Sequence, residues 1–600
     1  MRFSQKCRIG GAPRLKAGRA FAISLVWFAA AHLLLFWEIW RDPLHLVPGP
    51  IGDNTVMLWN LGWVRYALNH GSAGFWFPNA YYPQGFLFLF GTHTWLDGAL
   101  GWMAQAVLPK GSEGIVLWAN IMELVATSFT GAAIVFGLWQ WGARQFCVVL
   151  LTATAATFCW FRMFAATGHY HFFGTEWMAL SLALLSAGRR RTLAGGHFGH
   201  KWSWYLAGGL LLGLALLNDQ TMFVFGCALA LLIWISIHFE ARRKRLAFGG
   251  RRSLLVPLLA FWGAAFAVSL VHLVPLIVAA VQGKFHYQVS MYNDPRLVDA
   301  SSLVLPNQRH LFSSLGLAHL REKYGLSWSE GTYFGIAGLL LLGVSCLGAL
   351  KGLLDLISRR KSCWTRIFWI TASTIGFLIL ALGDRLEIGR HLWIYLPGYL
   401  LHFVPAVNNI RIPQRWVWPA HLCNCLAASL TLSRIWQHQS KIRSWSTVRV
   451  PYRNAMALTI AAFAIAEGKW YPPARPVDIR DPFLHPAGVE AVRRAYRSGG
   501  VLTMPMEWAY GHSNVFQFLW GYDIPVVTAY TARAPYDVTK TPWHGTEWTK
   551  ESGPWLRDHK VTIVIFSFQG GNLPEYKDWI ANAKLAVPGL LVFNKDGKAL

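Results

Sequence analysis

Long apolar runs recur from one end of this 600-residue sequence to the other, at about 20–38, 114–139, 146–165, 175–188, 203–218, 220–238, 254–281, 332–350, 367–383, 414–433 and 453–468. A helix needs about 20 apolar residues to cross a hydrocarbon core of about 30 Å. One such run can be a buried core helix. A whole series of them, in a chain that is 54% hydrophobic and 14% charged, exceeds what a soluble core buries. The expected fold is an all-α polytopic membrane protein of about eleven transmembrane helices. The first run, Phe21 to Trp37, is followed by WEIWRDP and not by a small-residue cleavage site, so it reads as an uncleaved helix rather than a signal peptide.

The charges support this division. A net charge of +26 on a soluble protein would suggest nucleic acid. Here the basic residues sit in short loops between apolar runs. With the N-terminus in the cytoplasm, every dense cluster falls on the cytoplasmic side: Arg144; Arg189, Arg190, Arg191 and Lys201; Arg242 through Arg252; Lys351 through Arg366; Arg434 through Arg453. No nucleic-acid partner is expected. The eight cysteines form no CxxC pair, and Cys423 and Cys425 point to different faces of one helix, so neither a disulfide framework nor a metal site is expected.

The opposite side then holds three outer loops, at 39–113, 283–331 and 385–413, of a membrane domain covering 1–468. In the first loop, GDNTVMLWNLGWVRYALNHG and the stretch Thr94–Leu108 read as helices on the membrane surface, with Trp59, Trp63 and Trp76 at the interface. Residues 469–600 read as a small extracytoplasmic α/β domain. A proline-rich linker, WYPPARPVDIRDPFLHP, leads to a helix, AGVEAVRRAYRS, and to the strand-like runs VLTMP, PVVTAY, VTIVIFS and LLVFN.

Ionisable residues gather at the outer ends of the runs. Asp53 follows the first run; it is placed either to act on a substrate or to cap the next helix. Arg162, His169, His171 and Glu176 crowd the end of the third run and the start of the fourth. The histidines have metal-ligand chemistry at a weak spacing, and Glu176 suits a helix N-terminus as well as a site. Asp219 lies in the tight turn LLNDQTMF, where aspartate is a common turn former. Asp294, Arg296 and Asp299 lie in the second outer loop. Arg411 and Arg415, in IRIPQRW, can grip a phosphate by paired hydrogen bonds or snorkel to lipid head groups. Arg65 in the first loop is a further candidate cation. No Walker loop, GxGxxG fingerprint or GxSxG elbow occurs in a suitable context, so ATP-driven transport is unsupported. A transporter or flippase would place ionisable residues in mid-helix, and few are there.

The segment GD…W-N-x-x-W (Gly52, Asp53, Trp59, Asn60, Trp63), YYPQG at 81–85, GHYHFFGTEW, IRIPQRW, and in the C-terminal part LTMPMEW, FQFLWGYDIPVVTAYTARAP and WLRDHKVTIVIF resemble uncharacterised bacterial members of the GT-C superfamily of membrane glycosyltransferases. The resemblance covers most of the chain. Many characterised members carry paired acids in the first loop, whereas here Asp53 is followed by Asn54 and Thr55. The resemblance implies a GT-C-like fold in a bacterial inner membrane and transfer of a sugar from a polyprenyl-phosphate donor to a lipid or glycan acceptor outside the cytoplasm. It implies a catalytic set of Asp53, Glu176 and Asp219, with Asp53 as general base, and a substrate-binding set of Arg65, His169, His171, Arg411 and Arg415. A divalent cation is the one cofactor it leaves open. A non-catalytic membrane scaffold and a transporter of a lipid-linked or polar substrate are the alternatives.

Overall fold

A computed structural model of the chain describes residues 16–49, 53–90, 94–166, 173–194, 202–243, 252–282, 299–306, 319–320, 332–360, 362–388, 391–398, 400, 413–439, 449–468, 476–480, 486–504, 521–527, 547–566, 573–594 and 596–600. The main helices are α1 (Ala17–Leu35), α2 (Asp53–Asn69), α3 (Trp95–Met103), α4 (Gly111–Trp141), α5 (Phe146–Thr157), α6 (Trp160–Ala166), α7 (Glu176–Leu193), α8 (Trp202–Asn218), α9 (Gln220–Arg243), α10 (Arg252–Val281), α11 (Ile336–Ile357), α12 (Trp364–Ala381), α13 (Val417–Gln439) and α14 (Arg449–Glu467). Each apolar run of the sequence coincides with one of these helices, or for the third run with the pair α5 and α6. Among the described residues, six helices are long and apolar enough to cross a membrane: α1, α4, α9, α10, α11 and α12. The pair α5 and α6, bent by 50°, makes a seventh if it is one broken span. Helix α8 and the segment Ala457–Glu467 are apolar but shorter.

In lipid, helices associate by close packing rather than by hydrophobic burial, so small residues mark the contacts. The sequence Gly209-Leu-Leu-Leu-Gly213 on α8 is such a mark. A Cβ on Gly209 would lie 2.0 Å from the carbonyl oxygen of Phe261 on α10, and one on Gly213 2.5 Å from Val268 Cβ. The two backbones therefore touch along a glycine stripe. At the loop end of the bundle, Glu467 closes α14 against α11. Its carboxylate accepts the backbone N–H groups of Ile336 (2.5 Å) and Ala337 (3.1 Å) and the hydroxyl of Tyr333 (3.2 Å). These are orphan donors that an uncapped helix leaves unpaired.

The first outer loop departs from expectation. Its helix α2 does not lie on a membrane surface. Residues 54–64 are all buried, and Trp59 packs edge-on to Phe77 at 5.0 Å while Trp63 lies 4.2 Å from the same ring. The reason is a cover the sequence does not announce: the hairpin β2 (Trp76–Phe77) and β3 (Phe86–Leu87) on one side, and Tyr522 from the far C-terminal region on another. Helix α3 is likewise half-sunk, with Leu96 and Asp97 buried.

The proline-rich stretch after 469 is not simply a linker. Strand β6 (Val477–Asp478) pairs antiparallel with β1 (Leu46–Val47) of the first loop, and Ile479 donates its N–H to the carbonyl of His45 at 2.9 Å. Beyond it come α15 (Pro486–Ala495), α16 (Ser552–Asp558) and α17 (Lys577–Ala586), and a parallel sheet in the order β7 (Gly500–Met504), β8 (Val561–Phe566), β9 (Leu591–Phe593). Its core is Leu502, Met504, Val564, Phe566 and Trp579. The run PVVTAY forms no strand among its described residues; Val526 instead bridges Ala80 and Val501, joining this sheet to the first loop.

Candidate functional site

The end of α14 meets the start of α11 through Glu467 and Ile336, and the end of α8 and the start of α9 meet at Asp219. The first loop reaches the second of these junctions: Gln220, the first residue of α9, donates its side-chain N–H to the carbonyl of Leu89 at 2.9 Å and meets His272 of α10 at 3.2 Å.

Glu176 opens α7. Its residue is 2% exposed, and neither carboxylate oxygen has a well-aligned hydrogen-bond partner among the described residues; its own backbone N–H is the nearest donor. It therefore does not cap its helix. Two charged groups act on it, Asp97 of α3 and Arg162 of α6. Arg162 is fully buried and is not ion-paired with it. Its guanidinium donates to the carbonyls of Thr157 (2.7 Å) and Phe173 (3.1 Å) and sits over the Phe173 ring at 4.4 Å, and its Nε–H has no acceptor among the described residues. Thr175, beside Glu176, is held by a hydrogen bond with Thr130 of α4 at 2.8 Å. The next contact along the same face of α4 is Thr127 with His32 of α1 at 3.0 Å. A buried carboxylate without donors costs several kcal/mol of lost hydration. Among the described residues neither oxygen has a side-chain donor, which makes Glu176 a candidate for binding a ligand.

Asp219 sits between α8 and α9. One of its oxygens accepts the N–H of Met222 at 2.8 Å, so it caps α9, and Arg415 is the cation that acts on it. Sequence reasoning separated these two by nearly 200 residues; the fold brings them together. Arg415 lies half-buried on the turn Pro413–Trp416 that leads into α13. Beside Asp219, both amide atoms of Asn218 are buried with no partner among the described residues.

Asp53 is the first residue of α2, and only its backbone falls within the described residues. Asn54, next to it, is buried and donates to the carbonyl of Pro48. Arg65 is twelve residues further along the same helix, about 18 Å at 1.5 Å per residue, so it does not share a small ligand with Asp53. It faces Gly114 and Tyr522 instead, where burial holds its guanidinium below the usual range. His169, His171 and Arg411 lie outside the described residues, as do Asp294 and Arg296. Asp299 accepts from the N–H of Ser301 at 2.8 Å and caps a short helical turn.

Asp97 was absent from the candidates, and a signal for it exists. It is the lone ionisable residue in TWLDGALGWM, and an acid inside an apolar run is costly unless it has a use. Glu123, buried on α4, is a second such residue. Among the described residues, no three His, Cys, Asp or Glu side chains form a metal-sized group. A divalent cation needs about six oxygen ligands, of which Asp97 and Glu176 supply two carboxylates; no step is built on a metal.

No protein-family model matches the chain, and no curated protein matches it. Among solved structures it is similar to the Archaeoglobus fulgidus oligosaccharyltransferase tethered to an acceptor peptide (13% identity, TM-score 0.45) and to the same organism's oligosaccharyltransferase AglB in complex with an inhibitory peptide and a dolichol-phosphate (12%, 0.46); each match covers 85% of this chain and 64% of that one. It is also similar to the arabinofuranosyltransferase AftD from mycobacteria (13%, TM-score 0.43), over 82% of this chain and 30% of that one. The chain thus spans under two thirds of the length of each of these proteins.

Proposed function

We propose that this chain is a membrane glycosyltransferase that moves a sugar from a polyprenyl-phosphate donor to an acceptor hydroxyl outside the cytoplasm. The observation that carries the proposal is the buried carboxylate of Glu176, which has no side-chain hydrogen-bond partner among the described residues and lies near Asp97 and Arg162, together with Asp219 and the Arg415 charge that acts on it. Bare carboxylate oxygens suit hydroxyl donors, which a sugar supplies. Arginines suit a phosphate, which a lipid donor supplies.

In the proposed reaction the acceptor oxygen attacks the anomeric carbon as Asp53 takes its proton. The bond between that carbon and the phosphate oxygen breaks with its electron pair, and polyprenyl phosphate leaves as an anion. Arg415, with Arg411, balances the charge growing on the phosphate. Glu176 orients the sugar through its hydroxyls. Residues of the C-terminal region, which reach α2 through Tyr522 and the loop segment 79–82 through Val526, fix the helix that begins with Asp53.

The direct test is transfer of radiolabelled sugar by purified protein in vesicles, from a panel of polyprenyl-phosphate sugars. Glu176→Gln keeps the volume and removes the charge. The proposal expects transfer by the native chain and a loss of about 100-fold or more in the variant at unchanged thermal stability. A variant that transfers as well as the native chain removes Glu176 from the site.

A further inference from the structure

We propose that the hairpin of β4 (Arg385–Ile388) and β5 (His391–Tyr395) lies in the lipid interface of the leaflet at which α12 ends, so that the protein holds the membrane surface with a β-element as well as with helices. The proposal rests on α12 crossing the membrane and is independent of the catalytic reading.

The two strands pair antiparallel, Arg385 with Tyr395 and Ile388 with His391, with Trp393 as the extra residue of a bulge in β5, opposite Leu386 and Glu387. The inner strand β4 is half-buried, and Glu387 bridges to Asp299. The outer strand β5 is exposed at all five positions, and its sequence is HLWIY. Leu392 is 49% exposed, Trp393 68%, Ile394 58% and Tyr395 64%. Successive strand residues point to opposite faces, so apolar residues in a row turn both faces of β5 apolar. A half-buried strand facing water would alternate. In water an open, apolar edge of this kind would recruit other chains; the bulge at Trp393 is the one device that blunts it among the described residues, and β5 itself carries neither proline nor a Lys, Arg, Asp or Glu. A lone two-stranded hairpin is also marginal in water.

Lipid resolves this. The hairpin leaves α12 after three residues, Leu382, Gly383 and Asp384, and Leu396 returns to donate its N–H to Asp384 at 2.8 Å. Its base, where Arg385 pairs with Tyr395, is therefore held where α12 ends. The sides of α11 and α12 carry the same exposed apolar character, at Leu340, Leu347, Trp369 and Ile375, which suits contact with lipid. Open strand edges do not occur in the hydrocarbon interior, where unpaired N–H and C=O groups find no water. That places the hairpin at the head-group boundary, the layer Trp and Tyr favour. The polar groups agree: Arg385 lies 5.6 Å above the Tyr395 ring, close to Asp384, and its long side chain can reach a lipid phosphate.

The test places a solvatochromic fluorescent amino acid at Trp393 and, separately, at Ile394, both strongly exposed on β5. The full chain is reconstituted in phosphatidylcholine–phosphatidylglycerol vesicles that carry a nitroxide either near the glycerol or at the end of the acyl chain. A control label at Leu585 on α17, also strongly exposed, reports on collisions from water. The proposal expects blue-shifted emission at both hairpin positions, with loss of intensity to the shallow nitroxide exceeding that to the deep one and exceeding that at Leu585. Water-like emission with quenching no greater than at Leu585 overturns it. Blue-shifted emission that neither nitroxide quenches means that protein covers the strand, and also overturns it. Stronger quenching by the deep nitroxide overturns the assigned depth. Both positions project from the packed body, so either label alone decides the matter if the other disturbs folding.

Discussion

The hydroxyl of Tyr522 donates a hydrogen bond to the backbone carbonyl of Trp59 at 3.0 Å, joining residues 463 positions apart. It fits there because Gly62, one turn on, has no side chain: a Cβ at Gly62 would lie 1.9 Å from the Tyr522 oxygen. Asp523 accepts from Tyr66 a turn later, and the amide of Asn79 donates to the Tyr522 carbonyl at 2.7 Å. The helix that begins with Asp53 is thus clamped from the C-terminal region.

Gly62→Ala drives a methyl group into the Tyr522 ring. The expected cost is about 1–3 kcal/mol, seen as a lower Tm in detergent. Tyr522→Phe removes one buried hydrogen bond, the second that the Trp59 carbonyl accepts within α2, at a cost of about 0.5–1.5 kcal/mol. The double variant should cost less than the sum of the two, because loss of the tyrosine hydroxyl gives back the space the new methyl group needs. Strict additivity would mean that the residues do not meet.

The junction of β1 with β6 carries a set of charges whose effects have opposite signs in pH. His45 binds Asp42 at 2.7 Å and Glu113 at 3.2 Å, and Arg480 reaches Asp42 and Asp478 at 2.7 Å each. Asp42, and then Glu113, raise His45 above 6.5, so its contribution is full below pH 6.5 and is lost as pH rises through the raised value. Arg480 lowers Asp478 below 3.8, so its contribution is present above pH 3.8 and is lost as pH falls through the lowered value. Hydrogen exchange at Ile479 should therefore be slowest between about pH 4 and pH 6.5 once the intrinsic pH dependence is divided out. His45→Gln should remove the alkaline limb and leave the acid one. An alkaline limb unchanged in that variant would assign it to another group.

Glu467 closes the loop end of the bundle by capping α11. Glu467→Ala strips two backbone N–H groups and the Tyr333 hydroxyl of their acceptor, and a loss of about 2–4 kcal/mol is expected, read as a fall in Tm. Glu467→Gln keeps one acceptor oxygen and should fall between the two. A cost under about 0.5 kcal/mol for the alanine variant would show that water replaces the cap.

Asp97 and Glu176 act on each other as like charges. Asp97→Asn removes one of them. If both serve one site, transfer in Asp97→Asn should fall by at least about 10-fold at unchanged Tm, and Asp97→Glu should recover part of it. A fall in rate that only tracks a fall in Tm would leave Asp97 a structural residue of α3.

The helical frame was legible because hydropathy and charge report directly on the medium around a helix. Each apolar run coincides with a helix, and the limits of α8 and α10 fall within a residue or two of expectation. What the sequence hid depends on contacts between distant segments. Trp59 and Trp63 have the composition of interfacial residues, and only Phe77 and Tyr522 make them core. Val477 and Asp478 stand in a proline-rich stretch with no strand signal of their own; pairing with β1 makes them a strand. At the candidate site, Asp219 and Arg415 were each legible as ionisable residues at a helix mouth, whereas their meeting was not. Asp97 was read as part of a surface helix because its apolar neighbours dominated the window.

The central claim is that α2 is clamped in order to present Asp53 as a base. The measurement that tests it most directly is sugar transfer by Asp53→Asn, made beside the native chain in vesicles with each polyprenyl-phosphate sugar, at matched protein and matched Tm. Asparagine keeps the size and the helix-capping ability of aspartate and cannot take the proton. The account predicts transfer by the native chain, and in Asp53→Asn a kcat lower by about 100- to 10,000-fold with donor KM little changed. Native-like transfer by Asp53→Asn would contradict the account and leave Asp53 a helix cap.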